Sequence, residues 1–138
     1  MTGARAALGT VMTLRDKLML ALHHPITVEP TGARVTVRLG GRVVAETTDA
    51  LTLREASYPP VLYVPVGDVD ASFLRASSRR SYCPYKGRAT HHSLQVGDHL
   101  AQDAAWSYPH PHRPVAALKG HVAFRPDKVS EIEVHRAA

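Results

Sequence analysis

The amino-acid sequence predicts a mainly β fold of short antiparallel strands. Most of the chain alternates polar and apolar residues over short stretches, and ten prolines and nine glycines separate these stretches. Only one stretch, near the N-terminus, has the spacing of an amphipathic helix. We therefore expect a small antiparallel sheet or half-open, tent-like barrel with a short N-terminal helix. A length of 138 residues fits one domain.

The N-terminal region is predicted to contain a tail and this one helix. Residues 1–11 are mostly small and have no pattern, and we expect them to be frayed. The helix is predicted over residues 12–22, where Thr13 suits the cap position. The apolar residues that recur on one face of it are Leu14, Leu18 and Leu22. A single β domain is then expected over residues 23–138.

The clearest pair of strands follows this helix. Residues 34–39 alternate polar and apolar side chains, Gly40 and Gly41 permit the positive φ of a tight turn, and residues 42–46 return as the partner strand. Further strands are expected at 51–54, 61–64, 87–94 and 100–106 with an exposed Asp103, and 116–124 is expected to be the last strand, after which residues 129–134 close the chain. A helical turn capped by Asp68 is expected at 68–74.

The charge and the cysteine content narrow the range of partners. The formal net charge is +5. The basic residues are scattered, however, and Arg79–Arg80 is their longest run, so a nucleic-acid partner is not favoured. No apolar run approaches the ~18 residues of a membrane span. Cys83 is the only cysteine, which excludes an intrachain disulfide and fits a cytoplasmic protein.

The segment with the most potentially reactive side chains is residues 81–87. A cation near a thiol favours the reactive thiolate form. Lys86 follows Cys83 by three residues, and Arg79 and Arg80 lie just before the segment. These residues predict either a Cys83–Lys86 pair lining a pocket or a cysteine packed as a small hydrophobic group beside a solvated lysine. The packed cysteine is the more frequent arrangement, and the residues alone leave both open.

Other site patterns are weaker. The chain has nine histidines, and His110 and His112 could share one face of an extended loop. No zinc-ligand spacing occurs, so neither a metal nor a cofactor is predicted. Asp68–Asp70 is an Asp-x-Asp pattern that can hold magnesium, but the glycine–serine helix start that accompanies it in nucleotidyl transfer is absent. The aromatic residues Trp106 and Tyr108 suit a ligand pocket and a β core equally.

The run Cys83-Pro84-Tyr85-Lys86-Gly87 resembles the signature of the domain-of-unknown-function 427 family of bacteria and fungi. Other segments match that family in the same order, and the resemblance covers about residues 23–134. These segments include His24-Pro25-Ile26, Arg34–Val37, Leu53-Arg54-Glu55, Tyr58–Val61, Tyr63-Val64-Pro65, Asp103–Tyr108 and Gly120–Phe124.

The resemblance implies a small, mainly β fold with a tent-like or half-open barrel sheet and a pocket. It also implies that six residues lie near one site: Glu55, Tyr63, Cys83, Lys86, Trp106 and Tyr108. The family is sometimes labelled nucleotidyltransferase-like, but this sequence lacks the residues that such an activity needs. One departure is that His91 and His92 stand where the family usually has aromatic residues, which adds titratable groups there.

These observations predict a protein that binds a small anionic ligand. We expect Lys86 to hold an anionic group and Trp106 and Tyr108 to hold a flat one. The other predicted ligand-binding residues are Glu55 and Tyr63. One alternative is an enzyme that uses Cys83 as nucleophile or redox centre, with Lys86 favouring the thiolate and a histidine as base. Another is an interaction or structural module without a small ligand. A homodimer is also expected.

Overall fold

Two antiparallel sheets make up the part of the chain that the structure describes. The computed structural model describes residues 13–14 and 24–136. The predicted frayed tail, and all of the predicted helix except residues 13–14, lie outside the described residues. The strands are β1 (Ile26–Pro30), β2 (Arg34–Leu39), β3 (Arg42–Thr47), β4 (Leu51–Glu55), β5 (Val61–Pro65), β6 (Leu74–Cys83), β7 (Gly87–Val96), β8 (His99–Ser107), β9 (His121–Phe124) and β10 (Glu131–His135).

The larger sheet has seven strands in the order β1-β4-β5-β9-β8-β7-β6, and the smaller has three in the order β10-β2-β3. The prediction of a mainly β, antiparallel fold is confirmed. The prediction of a single sheet is wrong, because the β2–β3 hairpin pairs with the C-terminal strand β10 instead of with β4. Among the described strands, neither sheet closes into a barrel.

The two faces of the seven-stranded sheet bury different sets of side chains. Successive residues of a strand point to opposite faces, so Val64 joins the core between the two sheets and its neighbour Tyr63 lies on the other face. That other face is covered by a short 3-10 segment, Arg113–Leu118, through Val115 and Leu118. The candidate site lies on this covered face.

The predicted hairpin and most of the predicted strands are confirmed, since β2 to β5, β7 and β8 overlap them closely. Strand β10, which follows the last predicted strand, was not predicted. Gly40 and Gly41 have φ values of +58° and +77°, as a tight hairpin turn between right-twisted strands requires. Among the described residues no helix is long and apolar enough to cross a membrane.

The turn predicted at 68–74 differs in detail. Two short 3-10 turns occur, Val66–Asp68 and Ala71–Phe73. The side chain of Asp70, and not that of Asp68, caps the second turn by accepting a hydrogen bond of 3.0 Å from the backbone N–H of Ser72. Asp68 instead accepts a hydrogen bond of 2.7 Å from the hydroxyl of Thr47.

The strand predicted at 116–124 is wrong in its first half. Pro114 lies in the first turn of the 3-10 segment Arg113–Leu118, a position that tolerates the missing N–H of proline. Gly120, with a φ of +76°, then turns the chain into β9. Asp103, predicted to be exposed, is half-buried and accepts a hydrogen bond from the hydroxyl of Ser77.

Candidate functional site

The strand register brings the predicted site residues to one face of the seven-stranded sheet. Tyr63 lies opposite Ala123, Ala123 opposite Trp106, and Trp106 opposite His91. Residues directly opposite each other in an antiparallel pair share a face. The chain of pairs therefore forms a row of side chains across four strands, and the ends of β4 and β6 carry Glu55 and Cys83 on the same face.

Glu55 is the centre of a buried polar cluster. The ammonium of Lys86 donates a hydrogen bond to Oε1 of Glu55, and each of the two side chains is only 12% exposed. Nε2 of His24 lies 2.6 Å from the other carboxylate oxygen, Oε2. Burial opposes ionisation of Glu55, but the hydrogen bonds from Lys86 and His24 outweigh it and hold the pKa of Glu55 below its usual range.

Aromatic rings border this polar cluster. The rings of His24 and Tyr85 are stacked, with centroids 3.8 Å apart and planes inclined by 9°. The ring of Tyr58 lies 6.4 Å from that of His24, and Tyr58 is 64% exposed. The cluster thus has a stacked pair of rings on one side and an accessible ring near them.

The turn from Cys83 to Gly87 holds Lys86 in place. The backbone N–H of Lys86 donates to the carbonyl of Cys83 at 3.2 Å, and the carbonyl of Lys86 accepts from the N–H of His112 at 2.9 Å. Gly87 has a φ of +117°, and a Cβ there would lie 3.2 Å from the carbonyl oxygen of His110. Only glycine fits this position without strain.

Tyr63, Trp106 and Tyr108 form the floor beneath the cluster. The indole N–H of Trp106 donates to the hydroxyl of Tyr63 at 3.3 Å, and their rings meet edge to face at 6.3 Å. Tyr63 is 1% exposed. Burial raises the pKa of Tyr63 to about 12, and the negative charge of Glu55 adds to this. Burial also raises the pKa of Tyr108, with Tyr63, Cys83 and Glu55 as further causes.

Residues 27–135 match the model of one protein family, which is described as a domain of unknown function, DUF427. The match covers most of the chain. The chain belongs to the DUF427 family. This confirms the resemblance seen in the Cys-Pro-Tyr-Lys-Gly run and in the segments around it. Among curated proteins, no match was found.

All six residues that the sequence assigned to one site in this DUF427 domain lie close together. Hydrogen bonds join Glu55 to Lys86 and Trp106 to Tyr63. Cys83 lies close enough to Tyr108 to contribute to the raised pKa of that tyrosine. The remaining member, Cys83, is half-buried and packs against the apolar side chains around Tyr63.

Arg80 does not lie on the same face as the thiol of Cys83, as its place in the sequence had suggested. Arg80 lies opposite Thr90, on the face of the sheet away from Cys83. One nitrogen of its guanidinium donates to the carbonyls of Ser77 and Arg79, at 2.8 Å each. The nearest cation in sequence, Lys86, is paired with Glu55.

The adjacent histidines His91 and His92 of the DUF427 domain lie on different faces of the sheet. His91 belongs to the site face, next to Trp106 across the strands, whereas His92 lies opposite Ala105 and belongs to the other face. Burial lowers the pKa of both rings, with Arg79 adding to the effect at His91 and Arg80 at His92. The Nδ1 atoms of both are buried without a hydrogen-bond partner among the described residues.

Three aromatic or imidazole side chains belong to the cluster although sequence analysis did not assign them: His24, Tyr58 and Tyr85. Each lies in a segment that carries the family resemblance, which was the only signal available for them. The pairing of β1 with β4 brings the residues before β1 to the end of β4, and this pairing is not visible in the local sequence.

An open groove of about 480 Å³ lies elsewhere on the DUF427 domain. Its lining residues are Gly32, Ala33, Arg34, Thr48, His135 and Arg136, and none of the six predicted site residues is among them. Within the described residues, no group of three or more histidine, cysteine, aspartate or glutamate side chains is arranged to hold a metal ion.

Proposed function

We propose that this protein binds a small molecule through an anionic group at the cluster of Glu55, Lys86 and His24. The observation that carries the proposal is the ion pair between Lys86 and Glu55, whose side chains are each only 12% exposed. Removing two charges from water is costly, and an apolar pair of similar size often stabilises a fold as well or better. Buried charged groups with shifted pKa values are therefore candidates for a functional site.

The hydrogen-bonding capacity of the cluster favours an anionic partner. Both oxygens of Glu55 are engaged, one by Lys86 and the other by His24. An ammonium has three N–H donors, and within residues 24–136 the only acceptor bonded to Nζ of Lys86 is Glu55. The other two donors of Lys86 have no acceptor within residues 24–136 and are the ones that the proposal assigns to a ligand. A carboxylate or phosphate supplies the acceptors that match.

The surrounding rings support a ligand with a flat part. Tyr85 and His24 form one stacked pair, and Tyr58 offers an exposed ring beside it. Aromatic faces are favourable surfaces for planar groups. In this proposal Tyr63, Trp106 and Tyr108 are positioning residues, because Tyr63 and Tyr108 are buried and hold the floor of the site.

The alternative of a Cys83 enzyme has less support. That hypothesis relied on Lys86, Arg79 and Arg80 as cations that favour the thiolate. The charge of Lys86 is paired with that of Glu55, and Arg80 lies on the face of the sheet opposite to Cys83. The alternative of an interaction module without a small ligand is an outcome of the experiment below.

A thermal-shift screen of carboxylated and phosphorylated metabolites tests the proposal. A ligand present at ten times its Kd adds about 1.4 kcal/mol of stability by mass action, which a melting curve resolves. The hits are then measured on the neutral-pair variant, Glu55→Gln with Lys86→Met. A surface control, Lys128→Met with Glu131→Gln, removes the same two charges at exposed positions.

The proposal predicts hits on the wild type and on the surface control, and their loss in the neutral-pair variant. His24→Phe keeps an aromatic ring to stack on Tyr85 but has no N–H, and it should weaken the same hits. If no compound stabilises the wild type, or if the hits persist in the neutral-pair variant, the interaction-module alternative takes precedence.

Assembly and location are further parts of the proposal. We propose a homodimer, which is supported by the exposed edge strand β6, since unpaired strand edges favour association. Light scattering coupled to gel filtration measures this directly, and a monomeric mass would contradict it. We also propose a cytoplasmic location, since the single cysteine fits a reducing compartment.

A further inference from the structure

A serine and a histidine form a close pair next to the proposed ligand site. Oγ of Ser81, on β6, lies 2.8 Å from Nε2 of His91, on β7. Ser81 lies opposite Ala89, so His91 is its diagonal neighbour on the same face of the sheet. Ser81 is exposed, whereas His91 is only 8% exposed. An accessible hydroxyl is therefore held against a shielded imidazole.

The surroundings keep the imidazole uncharged. Burial and the charge of Arg79 lower the pKa of His91, and Arg80 and Arg125 act in the same direction. The carboxylate of Asp103 opposes them and stabilises the charged ring once it forms. At neutral pH the ring therefore has a lone pair to offer, which a general base needs.

The second nitrogen of the ring is unusual. Nδ1 of His91 is buried and has no hydrogen-bond partner among the described residues. A buried polar atom without a partner destabilises a fold by about 1–3 kcal/mol, so its presence calls for a reason other than stability. No described residue selects the tautomer by a hydrogen bond at Nδ1, and Nε2 can accept the proton of the Ser81 hydroxyl.

We propose that Ser81 is a nucleophile for acyl groups, with His91 as its general base. In the step, Oγ of Ser81 bonds to the carbonyl carbon of an activated ester, and its proton passes to Nε2 of His91. The bond from that carbon to the leaving oxygen breaks, the leaving group departs with the electron pair, and the proton on Nε2 passes to the leaving group or to solvent, which restores the neutral ring. Water then releases the acyl group as a carboxylic acid and restores the serine.

Ser81 and Cys83 share a face two residues apart on β6, so a test must separate a hydroxyl from a thiol. We choose a Cys83→Ala parent, verified to fold by its melting curve, and p-nitrophenyl acetate as the probe. Release of p-nitrophenolate is followed by absorbance, and peptide mass spectrometry locates the acetyl group. Ser81→Ala is the test variant, and Ser78→Ala, at another exposed serine of β6, is the matched control.

The proposal predicts an acetyl group on Ser81 and a release rate that falls about 10²-fold or more in Ser81→Ala, the usual scale for losing an activated nucleophile and its base. Ser78→Ala should match the parent. The parent rate should rise with pH as His91 loses its proton, and His91→Asn should abolish this dependence. Acetylation only at other residues, or a Ser81→Ala rate equal to that of the parent, overturns the proposal whether or not His91→Asn folds.

Discussion

Nζ of Lys86 and Oε1 of Glu55 form a hydrogen-bonded ion pair although the two residues are 31 positions apart in the chain. Lys86 lies in the turn between β6 and β7, and Glu55 is the last residue of β4. In the order of the sheet, the strands β5, β9 and β8 separate β4 from β7. The lysine of the family signature is thus neither a solvated side chain nor an isolated cation. It is half of a buried pair that His24 completes.

The first prediction concerns this pair. Lys86→Ala leaves the Glu55 carboxylate buried beside His24 alone, and we expect a loss of about 3 kcal/mol in the free energy of unfolding, since breaking a buried pair leaves one charge uncompensated. The neutral-pair variant should lose less than Lys86→Ala, because it removes both charges. Urea denaturation measures both. Equal stability of wild type and Lys86→Ala would mean that the pair is solvated.

The second prediction is a pH dependence with a defined sign. The pKa of Glu55 is lower in the folded chain than the usual value of about 4.3 that applies when unfolded. The unfolded chain therefore takes up the proton first as the pH falls. The stability from Glu55 is complete above the unfolded pKa and is lost as the pH falls through the folded pKa.

Glu55→Gln should accordingly flatten the acid limb of a plot of stability against pH. Asp127→Asn is the control, since Asp127 forms an exposed pair with Arg125 and exposed pairs contribute little. Melting temperatures between about pH 7 and pH 3 cover the window set by the glutamate value. Parallel acid limbs for wild type and Glu55→Gln would contradict the prediction.

The third prediction concerns the alkaline side. The pKa of Tyr63 is about 12 in the folded chain, against about 10 when unfolded. Between these values the unfolded chain has lost a proton that the folded chain keeps, so stability falls as the pH rises. Tyr63→Phe should remove up to about 3 kcal/mol of this dependence, since one pKa unit corresponds to about 1.4 kcal/mol. Tyr58→Phe, at an exposed ring, is the matched control, and a similar effect of both variants would count against the buried hydroxyl.

The fourth prediction concerns the turn that positions Lys86. Gly87→Ala forces a side chain into a positive φ and within 3.2 Å of the carbonyl oxygen of His110. We expect a loss of at least about 1–2 kcal/mol from the left-handed backbone alone. Gly67→Ala is the matched control, because a Cβ at Gly67 would meet no heavy atom within 4 Å and the φ of Gly67 is not positive. Chemical denaturation of both variants compares the two sites, and equal losses at both would contradict the prediction.

Local sequence patterns predicted the parts of the fold that depend on local interactions. The β2–β3 hairpin follows from alternation and from Gly40–Gly41, which act over a few residues. Strand β6 was not predicted because it is an edge strand with little alternation, and most of its side chains are exposed. The division into two sheets depends on the pairing of β10 with β2. These strands are distant in the sequence, so local patterns do not predict their pairing.

The residues alone pointed only to Cys83 and Lys86, and the grouping of the candidate site was predicted through the family resemblance. The spacing of Glu55 and Lys86 in the sequence does not indicate that they meet. Their contact depends on the order in which the strands pair in the seven-stranded sheet. His24 was not assigned for the same reason, since it reaches Glu55 through the pairing of β1 with β4. The resemblance grouped Glu55 with Lys86 but did not indicate the hydrogen bond between them.

The most direct test of the central claim is calorimetric titration of the strongest carboxylate or phosphate hit into three proteins. These are the wild type, the neutral-pair variant and the surface control. We predict saturable binding to the wild type and the surface control with equal Kd, and a Kd at least about tenfold higher in the neutral-pair variant, which corresponds to about 1.4 kcal/mol. Equal affinity for all three proteins would contradict the claim that Glu55 and Lys86 form the binding site.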